Sequence, residues 1–256
     1  MQKRKHKLLL ILIPVILLGL LLFPFIRSLA GTFSPDRKPH RMVDPDRPMV
    51  ALTFDDGPHP DWTPVILDCL EKHGAAATFF EVGSNMDLYP ALCARAEELG
   101  CEVGSHTYSH IDLTASDAET IEQDLRLCDR SFRLALGHAP TLMRPPGGAV
   151  NGQAKRLTDL PLIGWSLDTK DWQTRDTAAT VAAVQEAGNL DGQVILMHSL
   201  YQSSARAAEI LIPWLLDQGY QLVTVSELMQ VRYETLPQPH IYNTVDFFLY
   251  GADPAA

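Results

Sequence analysis

The chain has few basic residues beyond its first 27 positions. Five of its 21 lysines and arginines precede Ser28, whereas all 31 aspartates and glutamates follow it. The remaining segment therefore has 16 basic against 31 acidic residues, a formal charge of −15. A nucleic-acid-binding surface needs a basic footprint for the phosphates, so this balance argues against a nucleic acid as partner. It is compatible with an uncharged glycan.

Cysteine is scarce as well, and its spacing is not that of a paired CxxC zinc site. If the acidic segment is exported, disulfides are chemically possible, and four thiols allow three pairings, among which the sequence does not choose. Three of the four fall in predicted helices. We expect buried thiols that behave as small hydrophobic side chains. The four are Cys69, Cys93, Cys101 and Cys128.

One long apolar run, residues 8–26, contains no charge. As a helix it would be about 28 Å long, close to the hydrocarbon thickness of a bilayer. The basic residues at 1–7 predict that this end stays in the cytoplasm and the remainder lies outside. The alternative is a cleaved signal peptide, because Ser28-Leu29-Ala30 resembles a small-residue cleavage site, although the run exceeds a typical signal core.

The sequence divides into five segments and has room for one large domain. A basic tail at 1–7 and the anchor at 8–26 precede a linker at 27–47 that is rich in proline, arginine and lysine. The folded domain is predicted at 48–232, and a tail at 233–256 follows it.

Apolar runs of strand length alternate with amphipathic stretches of helix length in the predicted domain. Such alternation indicates parallel strands with right-handed crossovers, in an open doubly wound sheet or a closed barrel. In both, ligands bind at the carboxyl ends of the strands. The seven predicted strands are Met49–Phe54, Ala77–Val82, Glu102–Ser105, Leu142–Arg144, Leu162–Leu167, Val194–Met197 and Gln221–Thr224.

Two helices have capping signals at both ends. Thr63 before a proline predicts the start of the first, and Gly74 its left-handed end. Ser116 with Glu119 has the capping-box spacing, and Gly137 ends the long helix predicted between them.

Polar residues of the kinds used in hydrolysis follow five of the predicted strands, which is where a site is expected. They are Asp55 and Asp56 after the first strand, His106 and His110 after the third, Arg144 at the end of the fourth, Asp168 after the fifth and His198 after the sixth.

The first cluster could bring two carboxylates into one pocket, because Gly57-Pro58 forces a turn directly after Asp55 and Asp56. Turn formation alone is the alternative.

His106 and His110 would lie on one face of a helical turn, and two histidines with one aspartate form the three-ligand set of catalytic metal sites.

The second cluster contains Asp168, Trp172 and His198. A histidine after an apolar strand is often only structural. It becomes an acid–base candidate if Asp168 hydrogen-bonds one of its ring nitrogens, favouring the protonated form. Trp172 either stacks on a sugar or belongs to the core.

Together these motifs resemble the polysaccharide deacetylases of carbohydrate esterase family 4, whose shared unit is the NodB homology domain. The matching segments occur in the family's order and span most of the predicted domain. They are Thr53–Pro58, His106–His110, Arg144–Gly148, Asp168–Trp172 and Ile195–His198.

The resemblance implies an α/β fold, a distorted (β/α)7 barrel, which the transmembrane helix predicted at 8–26 would precede. It makes Asp55 the general base, oriented by Arg144, and His198 the general acid, tuned by Asp168. Trp172 and Leu196 would border the groove for the acetyl methyl group. The implied metal ligands are Asp56, His106 and His110.

The third motif departs from the family, which usually has an aromatic residue where this chain has Gly147. Gly147 keeps the N–H that the resemblance assigns to the oxyanion, but the side chain bordering the groove is lost. The implied cofactor is one divalent ion. Zinc suits the ligand set, with cobalt, nickel or manganese as alternatives.

The expected reaction is removal of N-acetyl groups from peptidoglycan N-acetylglucosamine outside the cell. Two alternatives are an esterase acting on acetylxylan-type O-acetyl groups and a catalytically silent carbohydrate-binding barrel.

Overall fold

The computed structural model describes residues 42–233 and 241–242. Its strands are β1 (Met49–Asp55), β2 (Thr78–Glu81), β3 (Glu102–Ser105), β4 (Leu162–Ile163), β5 (Leu167–Asp168), β6 (Val194–His198), β7 (Gln221–Leu222) and β8 (Ile241–Tyr242). Its helices are α1 (Trp62–His73), α2 (Gly83–Leu88), α3 (Pro90–Glu98), α4 (Ala118–Ala135), α5 (Gly152–Leu157), α6 (Asp171–Thr174), α7 (Thr177–Gln185), α8 (Gln202–Asp217) and α9 (Val225–Tyr233).

The sheet is parallel and centred on β1, as the alternation of strands and helices predicts. Its order is β3-β2-β1-β6-β5, and β7 pairs with the first residues of β1. The predicted fourth strand is reduced to Met143, which bridges Ser105 of β3 and Leu162 of β4. The predicted fifth strand is two short ones, β4 and β5. All strands therefore point their carboxyl ends toward one face.

Alternation along β1 separates two hydrophobic layers. Val50, Leu52 and Phe54 pack in the larger layer, which includes buried side chains of the surrounding helices. Met49 and Ala51 pack in the smaller layer with side chains of the other strands. Asp55 has the same parity as this second set, so its carboxylate follows an apolar stack at the carboxyl end of the sheet.

The helix ends agree with the capping signals except at two starts. Asp61 takes the N-cap position of α1, so the helix begins one residue before the predicted cap. Gly74 ends it in the left-handed region, as predicted. Asp117 caps α4 by accepting a hydrogen bond from the backbone N–H of Thr120. The predicted cap, Ser116, instead donates its hydroxyl to the carbonyl of Asp112.

The folded part begins earlier than the predicted boundary at 48. Asp44 exchanges two hydrogen bonds with the Gln221 side chain, each 2.8 Å long. Arg232 donates to the carbonyls of Pro45 and Arg47. Local composition does not show these partners, which lie far along the chain.

The four cysteines are buried, as expected. Cys69, Cys93 and Cys128 are free thiols whose pKa is raised by burial. Within the described ranges, no helix has both the length and the apolarity needed to cross a bilayer. The predicted anchor at 8–26 and the tail from 234 lie outside those ranges, apart from β8.

Candidate active site

The end of β1 brings two adjacent carboxylates into one pocket. Asp55 is buried, and its Oδ2 lies 3.9 Å from Nε2 of His106. Asp56 has a φ of 72°, in the left-handed region, and its N–H donates to the carbonyl of Phe80. This reversal is what allows two consecutive side chains to face one pocket, which a regular strand does not. The turn expected at this motif is confirmed.

Three ligand atoms converge beside Asp55. Oδ1 of Asp56 lies 3.3 Å from Nε2 of His106 and 3.2 Å from Nε2 of His110. Suitable atoms of the three residues all lie within 4.8 Å of one another. Burial opposes ionisation of Asp56, but hydrogen bonds with His106 and His110, together with the charges of His106 and His198, outweigh it and lower the pKa of Asp56. The predicted ligand set is thus assembled.

The donor chemistry of these residues fits a divalent metal ion. Nδ1 of the buried His106 lies 2.7 Å from the carbonyl oxygen of Arg144. A proton on Nδ1 donates to that carbonyl and leaves the lone pair of Nε2 directed to the cluster, which is how metal-binding histidines are oriented. Oδ1 of Asp56 is buried and has no other well-aligned hydrogen bond among the described residues. Two imidazoles and one carboxylate leave coordination positions open.

The two histidines meet through a loop and not through the predicted helical turn. Residues 106–110 are not helical, and Thr107 and His110 have φ values of 64° and 54°. Asp124 of α4 holds this loop by accepting from the N–H groups of Tyr108 (2.6 Å) and Ser109 (3.0 Å). Sequence reasoning missed Asp124. Its signal was a carboxylate on the buried face of an amphipathic helix.

Arg144 is fully buried and fixes Asp55, as the resemblance implied. Its Nη1 donates to Oδ1 of Asp55 and to the hydroxyl of Thr53, both at 2.7 Å. Its Nη2 donates to the carbonyl of Gly164 at 2.7 Å, and its guanidinium lies 4.2 Å from the Phe80 ring centroid. One oxygen of Asp55 is therefore held, and the other is the one nearest His106.

The residue that contacts His198 is Asp171 and not Asp168, so that prediction was wrong. Oδ1 of Asp171 lies 2.8 Å from Nδ1 of His198. Its Oδ2 accepts from the N–H of His198 and the hydroxyl of Ser204. Asp168 instead accepts from the N–H of Lys170. Lys170, at a φ of 53°, turns the chain back after β5 and so brings Asp171 to the histidine.

The surroundings of His198 favour its protonated form. Burial disfavours the charge, but the hydrogen bond and charge of Asp171, together with the charges of Asp55 and Asp56, outweigh it and raise the pKa of His198. Because Nδ1 is bonded to Asp171, the proton available for transfer is that on Nε2. The pocket thus places a proton donor beside the ligand cluster.

Comparison with known proteins identifies the family. The model of the polysaccharide deacetylase family matches residues 42–162. Over 192 residues the chain is 35% identical to a peptidoglycan-N-acetylglucosamine deacetylase of Bacillus cereus, covering 72% of this chain and 70% of that protein. The chain belongs to the polysaccharide deacetylase family.

Other members of the family agree in sequence and fold. Peptidoglycan-N-acetylmuramic acid deacetylase PdaC of Bacillus subtilis is 40% identical over 190 residues, which are 74% of this chain and 40% of that protein. The solved structure of PdaC has a TM-score of 0.73 at 40% identity and covers 75% of this chain and 95% of that one. A family 4 acetyl xylan esterase from Clostridium thermocellum, in complex with cobalt, has a TM-score of 0.71 at 30% identity. The match covers 76% of this chain and 98% of that one. The chain spans about two-fifths of the length of PdaC.

The motif in which this chain departs from the rest of the family forms a tight turn. Gly147 and Gly148 have φ values of 62° and 69°. A Cβ on Gly147 would meet no atom within 4 Å, so space for a side chain exists, although an L-residue is strained at this φ. The N–H of Gly147 has no hydrogen-bond acceptor in residues 42–233. It remains available as the donor that the resemblance implies.

The two other predicted groove residues differ in exposure. Trp172 is the second residue of α6, next to Asp171, and is 46% exposed, so it is not the core residue of the alternative interpretation. Leu196 is buried and lies two residues before His198 on β6, so both side chains leave the strand on the same face.

Proposed function

We propose that this protein is a metal-dependent deacetylase that hydrolyses the N-acetyl groups of peptidoglycan N-acetylglucosamine and releases acetate. An amide resists hydrolysis because water is a weak nucleophile and an amine a poor leaving group. The observation that supports the proposal is that one pocket addresses both ends. A carboxylate at Asp55 and a protonated histidine at His198 flank one ligand cluster.

The roles follow from the contacts of each group. A divalent ion bound by Asp56, His106 and His110 would polarise the acetyl carbonyl and activate water. Asp55 accepts the proton of this water at Oδ2, because Arg144 holds Oδ1.

The other side of the pocket serves the leaving group and the developing charge. The N–H of Gly147 donates to the oxyanion, an interaction worth about 3 kcal/mol in comparable sites. His198 protonates the departing nitrogen from Nε2, and Asp171 holds the ring in the tautomer that allows this. Trp172 and Leu196 border the acetyl group.

Zinc suits the two-histidine, one-aspartate ligand set. Cobalt, nickel and manganese are the alternatives, since availability and not affinity alone selects the ion. The related acetyl xylan esterase was solved with cobalt.

Relatives support the substrate. Proteins at 35% to 40% identity are named as peptidoglycan deacetylases. The second candidate is hydrolysis of an O-acetyl ester, which the fold match to an acetyl xylan esterase favours. The same residues would perform it, because only the leaving atom differs.

The purified protein with added zinc or cobalt should release acetate from N-acetylglucosamine oligomers and from peptidoglycan, and more slowly from acetylxylan. An enzymatic acetate assay on the three substrates checks this. Faster release from acetylxylan would favour the esterase. No release from any of them would leave the silent carbohydrate-binding barrel.

We also propose that the domain, a distorted (β/α)7 barrel, is tethered outside the cell by residues 8–26, with 1–7 in the cytoplasm. The uncharged run and the basic residues before it support this. An intact N-terminus on the membrane-associated protein is expected. A new N-terminus after Ala30 on a soluble product would identify a signal peptide.

Asp171→Asn should lower kcat/KM for acetate release about 100-fold, whereas Asp168→Asn should stay within about threefold of the wild type. Asparagine can still accept a hydrogen bond from Nδ1 of His198, but it lacks the charge that raises the pKa of His198. A smaller fraction of His198 is therefore protonated. Activity falls as pH rises through the pKa of His198, and this alkaline limb should move to lower pH in Asp171→Asn. Rate profiles between about pH 5 and 10 test this. A shift in Asp168→Asn alone would reverse the assignment.

A further inference from the structure

A second cleft, of about 730 Å³, opens beside the general acid. Its floor includes Tyr201, whose ring centroid lies 6.3 Å from that of His198. Arg175 lies over this ring, with its guanidinium carbon 3.5 Å from the ring centroid. Tyr201 therefore lies between the pocket of His198 and the cleft and contacts the guanidinium of Arg175.

The guanidinium of Arg175 is held in place by two contacts. Its Nε donates to the carbonyl of Trp172 at 2.8 Å, and the Tyr201 ring supports one face. Among residues 42–233 no carboxylate forms an ion pair with it. Its two terminal amino groups therefore remain available to a ligand, and little side-chain entropy is lost on binding because the group is already held.

The rest of the cleft adds donors. Arg206 lines it and forms an ion pair with Glu209 at 2.6 Å. Gln202 begins α8, a helix whose N-cap side chain makes no capping hydrogen bond, so backbone N–H groups of its first turn are not used by a cap. The acidic residue of the lining, Asp176, already accepts from the N–H of Ala179.

We propose that this cleft is a subsite for a carboxylate carried by the sugar adjacent to the one that is deacetylated. The proposal rests on the proposed function and specifies its substrate class as an anionic glycan. A guanidinium with two free amino groups matches a carboxylate bidentately. The acidic segment as a whole repels anions, so an anionic chain needs such a local site to bind, whereas a neutral glycan does not.

The test compares two tetrasaccharides of alternating N-acetylglucosamine and N-acetylmuramic acid, one with free lactyl carboxylates and one with these converted into amides. The wild type should have a kcat/KM about tenfold higher for the acid than for the amide at low salt, and the difference should shrink as salt screens it. Arg175→Gln should bring the ratio close to one, and Arg175→Lys should restore part of it.

Arg126→Gln is the matched control. It removes one exposed arginine, which pairs with Glu122 on α4, and should keep the wild-type ratio. A wild-type ratio in a folded Arg175→Gln, as judged by its melting temperature, would overturn the proposal. If that variant does not fold, Arg206→Gln should lower the ratio, and an unchanged ratio there would have the same meaning.

Failure of the proposed function gives a different result. If the wild type releases acetate from neither tetrasaccharide, calorimetry on the same pair still tests the cleft. The acid should then bind more tightly than the amide, and Arg175→Gln should abolish the difference. Equal binding by the wild type would refute the subsite.

Discussion

Asp55→Asn should lower kcat for acetate release roughly a thousandfold while the protein keeps its metal. General-base catalysis contributes about 10²- to 10⁴-fold, and an amide cannot accept the proton. The asparagine oxygen can still accept from Nη1 of Arg144, so the geometry of the pocket is retained. Because the ligand cluster does not include Asp55, the metal content of the Asp55→Asn protein should equal that of the wild type. Emission spectroscopy and the acetate assay on one preparation measure both.

Stability is the necessary control for this variant. Arg144 is fully buried and loses its only ion-pair partner among the described residues. Leaving a buried charge unpaired costs about 3–5 kcal/mol, so the melting temperature should fall. Assays well below that temperature separate the loss of the base from unfolding. Full activity in folded Asp55→Asn would remove Asp55 from its role.

His110→Ala should lose metal and activity together. His110 supplies one of three ligand atoms, and its side chain is 48% exposed, so its removal leaves no large cavity. Metal content after dialysis should fall at least tenfold, and excess zinc should restore part of the activity. The melting temperature of the metal-free protein should change little.

His138→Ala is the matched control for that experiment. His138 is similarly exposed but pairs with Glu97, away from the cluster. It should retain both metal and turnover. A His110→Ala protein that keeps its full complement of zinc would contradict the ligand assignment, whatever its activity.

The alternation of strands and helices was sufficient to locate the pocket. It placed the functional residues at strand ends, and the structure brings Asp55, Asp56, His106, His110 and His198 together there. The choice between Asp168 and Asp171 was not accessible in the same way. It depends on one left-handed residue, Lys170, and nothing in a strand pattern specifies that conformation.

Contacts between distant segments were equally hidden. Asp124 holds the loop of the two histidines from a helix that follows it, and its carboxylate gives no sign in the sequence of which N–H groups it will meet. Gln221 similarly forms hydrogen bonds with Asp44, which lies far from it along the chain. The length of a short strand is also hidden, because Leu142–Arg144 is predicted as a strand whereas the structure has only a bridge at Met143.

Arg144 connects the general base, Asp55, with the metal-ligand candidate His106. Its side chain holds Asp55, and its own carbonyl orients His106. The reactive centre is thus held from the interior of the sheet, whereas Gly147, Trp172 and Arg175 are exposed. Mutations at the rim can change which glycan is accepted without disturbing the machinery beneath it. Descendants of such a protein can acquire different glycan substrates while their catalytic chemistry stays the same.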